Sequence, residues 1–541
     1  MEIQNFKILL LYIYCDGMLL RQEELGLAFI AAYLRNHGFP VEVRADAVES
    51  FDCNIILQSK PNLIGAVVYD VNKAAVLDIF AQIRSIDNTA VLCVGGHCPT
   101  MSPASILQES INVDVAVIGE GEKTFAELAE SLCKGLPLSR VKGIVFRTKN
   151  GLFHTDARPE LLDMREIPFP SRDLLEQFNS VVAQISTSRG CCAHCSFCVT
   201  GQSRRRWIGR SPEEIADEIE LLYRKRGIRA FNIIDCSFED PGVNRQRLEK
   251  FSRQIIDRHL QISYYVQMRA CSYSRLDDRL MRLLLSSGLS SVCLGLESGN
   301  NEDLTLYNKQ TTVSEMKQAY AFFKAYDLNI DPGFINFNPY TSIETLKRNL
   351  EFLYERGLCA NASYLLKPCR IYRNTSLYEK IQKDNLIDPA TPLGYTFAEK
   401  RVENLFKFLN TGLSNQRSLI KAVNHGASFD LVAYACLKTI FRNENNPILY
   451  SNICALEKKH LLICRDLNEQ IYQWFFTLLS LAKTGWSDEK ARSITNDLFS
   501  IKDLKIAVIR YAGSRNRTLK SLTSLSLSPE IQNLAEQLFT V

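Results

Sequence analysis

No run of about 18 apolar residues occurs in the chain, so no membrane-spanning helix is expected. Charge of one sign is not in excess either: 64 Lys and Arg stand against 60 Asp and Glu, a net +4 over 541 residues. That balance argues against a nucleic-acid binder, whose basic residues should dominate one domain. The first stretch, "MEIQNFKILLLYIYCDG", lacks a basic leader and a small-residue cleavage site and is too short to span a bilayer. It reads as a buried strand. A cytoplasmic protein with reduced thiols is the expectation, without membrane or nucleic-acid partners. There is no internal repeat and no long low-complexity segment. What is present is ordinary globular composition, 46% apolar and 23% charged, over a length that calls for two to four domains. The 17 cysteines are an odd number and fit a disulfide scaffold poorly.

Strand and helix signals alternate through the first ~150 residues. "FKILLLYIY", "FPVEVRAD", "NLIGAVVYD", "AVLCVGG" and "VDVAVIG" read as strands. "EELGLAFIAAYLRNHG", "KAAVLDIFAQIRSI" and "GEGEKTFAELAESLCKG" read as helices, the first stopping at Gly38. Five βα units of this kind predict a doubly wound, Rossmann-like α/β sheet. Ligands of such sheets sit at the carboxyl ends of the strands, where Asp70, Gly95, Gly96, Gly119 and Gly121 fall. "GIVFRTKNGLFHT" reads as a hairpin turning at Asn150-Gly151, and "REIPFPSRDLL" as a linker.

A second βα series runs from Val181 to about Gln382. Its strands are "VVAQISTSRG", "RAFNIIDCSF", "QISYYVQMRA", "SSVCLGLESG", "NIDPGFINFN" and "ASYLLKPCRIY", which predict a partial (β/α)6 barrel. Between them "SPEEIADEIELLYRKRG" carries an N-cap at Ser211, Pro212 in the first turn and a capping box closed by Glu214. Strand signals nearly vanish from Pro389 onward. The expected domains are therefore 1–145, a hairpin and linker over 146–180, a barrel over 181–388 and a helical domain over 389–541.

Four cysteines crowd into "STSRGCCAHCSFCVTG", residues 186–201. Cys191, Cys195 and Cys198 stand in C-x3-C-x2-C spacing, which lets three thiolates converge on one centre. A structural zinc would want a fourth ligand, from His194 or Cys192, and either would have to fold back beside a ligand. A cubane iron–sulfur cluster on three cysteines instead keeps one iron open. Cys192 reads as an incidental neighbour. The loop follows a strand, at the end where barrel enzymes place their chemistry.

With Phe197 before the last cysteine, these residues resemble the radical S-adenosylmethionine superfamily. The resemblance implies a [4Fe–4S] cluster on Cys191, Cys195 and Cys198, with S-adenosyl-L-methionine on the open iron and a 5′-deoxyadenosyl radical after one-electron reduction. It implies a reductant such as flavodoxin or ferredoxin. "NIIDCSF" resembles the second-strand segment, matching at Asp235 and Phe238; "LGLESGN" resembles the fourth, matching at Glu297 and Ser298 near the cofactor ribose. Arg269 in "QMRA" matches a commonly polar third-strand position, and "YNKQTT" resembles the segment that usually follows. Two segments depart: "GFINFNPYTSIET" lacks the usual glycine–proline–glycine turn, and "YRNTSLYEK" replaces the usual "YPGTPLYEK". No contacts are carried over there.

In the first domain "GLAFIAAYLRNHG", "GGHCPT" and "GEGEKTFAEL" resemble the cobalamin-binding domain of cobalamin-dependent radical enzymes. The implied ligand is cobalamin, as methylcobalamin in a methyl transfer; a ligand-free or nucleotide-binding sheet is the alternative. The D-x-H-x-x-G motif of the mutases is absent, and His97 has the wrong spacing for it. Radical members often leave the lower face without a histidine.

The basic run "GQSRRRWIGRS" reads as a solvated loop at Arg204, Arg205 and Arg206, and equally as loop or anion contact at Arg210. The aromatics of "YQWFFTLLSLAKTGW" read as core, in a segment able to roof the barrel mouth. The resemblance as a whole implies a methyltransferase acting on an unactivated carbon or phosphorus of a natural-product or peptide substrate. A ring contraction or cyclisation with the same cofactors is the near alternative, and a non-catalytic zinc- and cobalamin-binding regulator the distant one. No acid–base pair is named.

Overall fold

The structure is a computed structural model that describes residues 1–541 except 16–21, 204–205, 242–244, 392, 526 and 541. The chain divides into two compact units, Met1–Ile185 with Ile208–Arg210, and Ser186–Trp207 with Ser211–Val541.

The first unit follows from one uninterrupted apolar strand. Ile8–Tyr14 lies inside the sheet between Val41–Ala47 and Leu63–Val67, parallel to both. Successive side chains of a strand point to opposite faces. Ile8, Leu10 and Tyr12 therefore enter one core, with Leu27 and Leu34 of helix Leu25–Asn36 and Phe125 and Leu128 of helix Gly121–Lys134. Leu9, Leu11 and Ile13 enter the other, with Val76, Phe80 and Ile83 of helix Lys73–Ile86. A strand covered on both faces has no polar side to show, hence the continuous run. Val91–Gly95 and Val115–Val117 complete five parallel strands. Ile144–Thr148 and Gly151–His154 add an antiparallel hairpin at the edge. Its register pairs Thr148 with Gly151, so the turn is Lys149-Asn150, one residue earlier than expected; Gly151 opens the second strand with φ 114°.

The order 2-1-3-4-5 of the parallel strands reverses at the first strand, and the crevice for a ligand lies there. Asn72, fully buried, ties that point together. Its amide donates to the carbonyls of Ile13 at 2.9 Å and Val67 at 3.2 Å and accepts from Tyr69 N–H at 2.8 Å.

Of the six strands expected in the second βα series, five form: Val182–Ile185, Ala230–Ile233, Ser263–Arg269, Leu289–Glu297 and Asn329–Phe334. The sixth does not. Ser363–Leu366 is a helical turn, and only an isolated bridge joins Phe337 to Pro368, because Pro368 has no N–H to continue a ladder. The last four strands lie in the second unit and run parallel. Three of them alternate toward their carboxyl ends. Val292, Leu294 and Leu296 are buried; Cys293, Gly295 and Glu297 are half-buried, as are Tyr265, Gln267 and Arg269 and Asn329, Asp331 and Gly333. Register places Gln267, Cys293 and Asp331 in one row and Arg269, Gly295 and Gly333 in the next. Helix Pro212–Arg226 carries the expected capping box between Ser211 and Glu214.

Helices fill the chain from Lys400 to Thr540. Arg417–Asn443 packs on the strands Ser263–Arg269, Leu289–Glu297 and Asn329–Phe334. Pro447–Thr484 packs on helix Ile343–Tyr354, where Tyr472 meets Tyr354 ring to ring at 4.1 Å. Trp474 is fully buried against Phe499 at 4.4 Å. The aromatic segment is core. No helix among the described residues is long and apolar enough to cross a membrane.

Replacing Asn72 by Ala strands the Tyr69 N–H and the Ile13 carbonyl in the interior, a loss of about 2–4 kcal/mol. The expected result is a lowered urea midpoint for the first unit's transition, with Asn72→Asp intermediate.

Candidate active site

The cysteine loop is shaped before any metal is considered. At its entry Asp235, 2% exposed, accepts from Thr187 N–H at 2.7 Å, from the Thr187 hydroxyl and from the Ser188 hydroxyl at 2.8 Å. Gly190 has φ 85°, and a Cβ there would lie 2.1 Å from the carbonyl oxygen of Arg206, so only glycine fits. At its exit Ser196 N–H donates to the Tyr307 carbonyl at 2.9 Å, the Ser196 hydroxyl to the Leu306 carbonyl at 2.6 Å, and Asn308 Nδ2 to the His194 carbonyl at 2.8 Å. Phe197 meets the Tyr307 ring edge-on at 5.3 Å. The "YNK" segment is thus the loop's backbone partner.

Cys191 and Cys195 are buried, Cys198 is half-buried and Cys192 is exposed. Burial raises the Cys191 thiol, against the pull of the Arg269 guanidinium; burial raises the Cys195 thiol, against that of the Lys309 ammonium. Both also feel Cys198. Among the described residues no three His, Cys, Asp or Glu side chains already stand as a ready metal site, so the fit rests on the donors. Three thiols sharing one electrostatic neighbourhood, with two cations beside them, suit a soft, negatively charged iron–sulfur centre.

The remaining expected residues separate into two kinds. Arg269 and Glu297 face the half-open side of the sheet. Arg269 Nη2 reaches Cys271 Sγ at 3.1 Å, and its own N–H donates to Glu239 at 3.1 Å. Glu297 has φ 63° and takes the Lys309 ammonium at 3.0 Å. By contrast, Asp235, Phe238 and Ser298 have structural partners. Phe238, 1% exposed, packs edge-on against Phe251 at 5.9 Å. Ser298 is fully buried in a polar network.

That network gathers around Ser298 and Asp303. Asn349 Oδ1 takes Gly299 N–H at 2.7 Å, which fixes the amide's orientation. Ser298 Oγ lies 2.9 Å from the same oxygen and 2.7 Å from Asp303 Oδ2, while accepting from Asn300 N–H at 3.1 Å. Burial raises the Asp303 carboxyl, against the hydrogen bonds that Ser298 and Asn338 donate to it. Its other oxygen accepts from Asn338 Nδ2 at 2.8 Å, and Asn338 also donates to the Tyr307 hydroxyl at 2.9 Å.

Two site residues escaped the sequence reading. Lys309 was visible only as part of "YNKQTT". Glu239, 3% exposed, receives Arg269 N–H and the Ser272 hydroxyl on one oxygen and leaves the other buried without a hydrogen-bond partner. It sits in electrostatic range of Cys191. A carboxylate so placed could hold a cofactor's ammonium, and the first acid after "NIID" was the available signal.

In the first unit Gly95 ends its strand, Gly96 has φ 103°, and Gly121 opens helix Gly121–Lys134. Nothing lies within 4 Å of a Cβ built on Gly119, so the chain there is open to a flat ligand. Asp70 follows strand Leu63–Val67, and its charge opposes the lowering that burial imposes on His97. The His97 ring lies 6.0 Å from Tyr69, whose hydroxyl donates to Glu24 at 2.7 Å. Arg210 is buried with its guanidinium 5.2 Å from the Phe169 ring centre, and Arg206 is exposed. Arg204 and Arg205 lie outside the described residues.

Family models match on both units: the B12 binding domain over residues 19–129 and the Radical SAM superfamily over 185–353. The chain is a B12-binding radical SAM enzyme. An uncharacterized methyltransferase of Pyrococcus horikoshii, PH0819, is 26% identical over 74% of this enzyme and 90% of that protein. The anaerobic magnesium-protoporphyrin IX monomethyl ester cyclase of Rubrivivax gelatinosus is 28% identical over 57% of the enzyme and 58% of its own length. The cobalamin-dependent S-adenosylmethionine radical enzyme OxsB, solved with aqua-cobalamin and S-adenosylmethionine bound, superimposes with a TM-score of 0.69 at 20% identity. The match covers 99% of this enzyme and 83% of OxsB, a likeness of fold.

Two outcomes follow for this radical SAM enzyme. Anaerobic reconstitution of Cys191→Ala, Cys195→Ala or Cys198→Ala should yield protein without iron, while Cys192→Ala binds as much as wild type. Asp303→Ala, which strands the Ser298 hydroxyl and the Asn338 amide in the interior, should cost about 2–3 kcal/mol in urea unfolding.

Proposed function

We propose that this enzyme is a cobalamin-dependent radical SAM methyltransferase that methylates an unactivated carbon, or phosphorus, of a natural-product or peptide substrate. The observation that carries the reading is the joining of a B12-binding sheet to a radical SAM unit in a chain that aligns with nine-tenths of PH0819. When bound, the cluster with S-adenosylmethionine supplies a 5′-deoxyadenosyl radical and cobalamin supplies a methyl group. The chain's part is positional. Cys191, Cys195 and Cys198 are the proposed cluster ligands. Arg269, Glu297 and Glu239 offer charge to the amino-acid and ribose ends of S-adenosylmethionine, while Asp235, Phe238 and Ser298 serve from behind by fixing the loop and the turn. Asp70, Gly95, Gly96, Gly119 and Gly121 form the proposed corrin-side rim. A flavodoxin or ferredoxin is the proposed electron donor.

The likeness to the magnesium-protoporphyrin cyclase favours a second reading, ring formation on the same two cofactors. Counting products separates the two. A methyltransferase of this type should release one S-adenosylhomocysteine and one 5′-deoxyadenosine for each methylated product in anaerobic turnover. Product formed with 5′-deoxyadenosine and no S-adenosylhomocysteine would establish the ring-forming reading instead.

A further inference from the structure

Lys309 is a buried cation that the proposed chemistry has not used. Three backbone-directed bonds fix where it stands. Tyr307 and Leu306 carbonyls take the N–H and hydroxyl of Ser196, and Asn308 reaches the His194 carbonyl, so the residues just before Lys309 are stitched to both sides of Cys195. Its side chain is 10% exposed, and its ammonium donates to Glu297 Oε1 at 3.0 Å. Burial alone would depress the ammonium; Glu297 and then Cys195 outweigh it, so Lys309 stays charged.

The sequence protects this placement. A Cβ on Gly295 would lie 3.0 Å from Glu297 Oε1 and 3.3 Å from Lys309 Nζ, so any larger residue would crowd the pair. Glu297 folds back over Gly295 through a left-handed backbone that non-glycine residues rarely adopt. Strain of this kind is kept where the surroundings require it.

We propose that Lys309 sets the reduction potential of the metal centre on Cys191, Cys195 and Cys198, with Glu297 as the counter-charge that tempers it. This rests on the reading of those cysteines as ligands of an iron–sulfur cluster. Reduction adds one electron and no proton, so the reduced centre is one unit more negative. A buried cation beside it stabilises that state more than the oxidised one and raises the potential. A buried anion does the opposite. Lys309 is thus a positioning residue that acts by charge, and the pair gives the centre two opposing controls on one side of the loop.

The test is a reductive titration of the anaerobically reconstituted enzyme without S-adenosylmethionine, followed by visible absorbance and electron paramagnetic resonance, with iron and sulfide measured on every sample. Lys309→Met should titrate at a more negative potential than wild type, and Lys309→Arg, which keeps the charge, close to wild type. Glu297→Gln should shift the other way. Lys317→Met, at an exposed lysine of helix Val313–Ala325, serves as the surface control and should not move it. A merely structural role gives no such reversal of sign. The proposal is overturned if Lys309→Met with full iron content titrates with wild type, or if Glu297→Gln moves in the same direction as Lys309→Met. Should Lys309→Met fail to hold iron, Glu297→Gln decides alone. A wild-type chain that takes up no iron overturns the ligand reading itself, and a shift cannot be confused with that result.

Discussion

Three thiols are gathered in one short loop by the chain alone. Unliganded, they gain nothing by approaching one another: burial raises the Cys191 and Cys195 thiols, and negative charge on Cys198 raises both further. The chain meets this constraint with hydrogen bonds at the two ends of the loop. Asp235 holds the entry through Thr187 and Ser188, and the Leu306–Asn308 segment holds the exit through His194 and Ser196. The clamps grip main chain and small hydroxyls, not the thiols themselves. The cost is a buried carboxylate, and three donors on Asp235 offset much of it.

The two sheets differ in what covers them, and that difference assigns their tasks. The first is packed on both faces, so its strands can carry no chemistry along their length; a ligand has only the strand ends and the turns beyond. The second is packed on one face and half-open on the other. Every second position of Ser263–Arg269, Leu289–Glu297 and Asn329–Phe334 can therefore bear a charge, a thiol or nothing at all. Gly295 and Gly333 stand opposite each other in register where the Glu297 side chain folds back.

The parts of the fold legible in the sequence were those set by local periodicity and capping. Helix Lys73–Ile86 occupies the residues its pattern indicated, and Ser211 with Glu214 forms the box its spacing required. The hairpin was legible but its turn slipped by one, since Lys149-Asn150 and Asn150-Gly151 both carry turn residues and only the cross-strand register chooses. A sixth strand was expected from "YLLKPCRIY", yet strand propensity there loses to a proline and to a helical turn at Ser363–Leu366. At the site, cysteine spacing was readable because the three cysteines share one loop. The positions of Lys309 and Glu239 were not, because what gives them meaning is the electrostatic nearness of Cys195 to the one and of Cys191 to the other, 114 and 48 residues away in the chain.

The departure at "NFNP" illustrates how a mismatch in pattern can carry its own reason. Where a glycine–proline–glycine turn would leave bare backbone, this chain places Asn338, fully buried, whose amide bridges Asp303 and the Tyr307 hydroxyl. Tyr307 in turn carries the carbonyl that fixes Ser196 and the ring that meets Phe197. The Ser298 turn, Asp303, Asn338 and the cysteine loop are thereby one connected hydrogen-bonded body. The amide at 338 donates both to the buried Asp303 carboxyl and to the Tyr307 hydroxyl, and a glycine there would have no side-chain donor to offer.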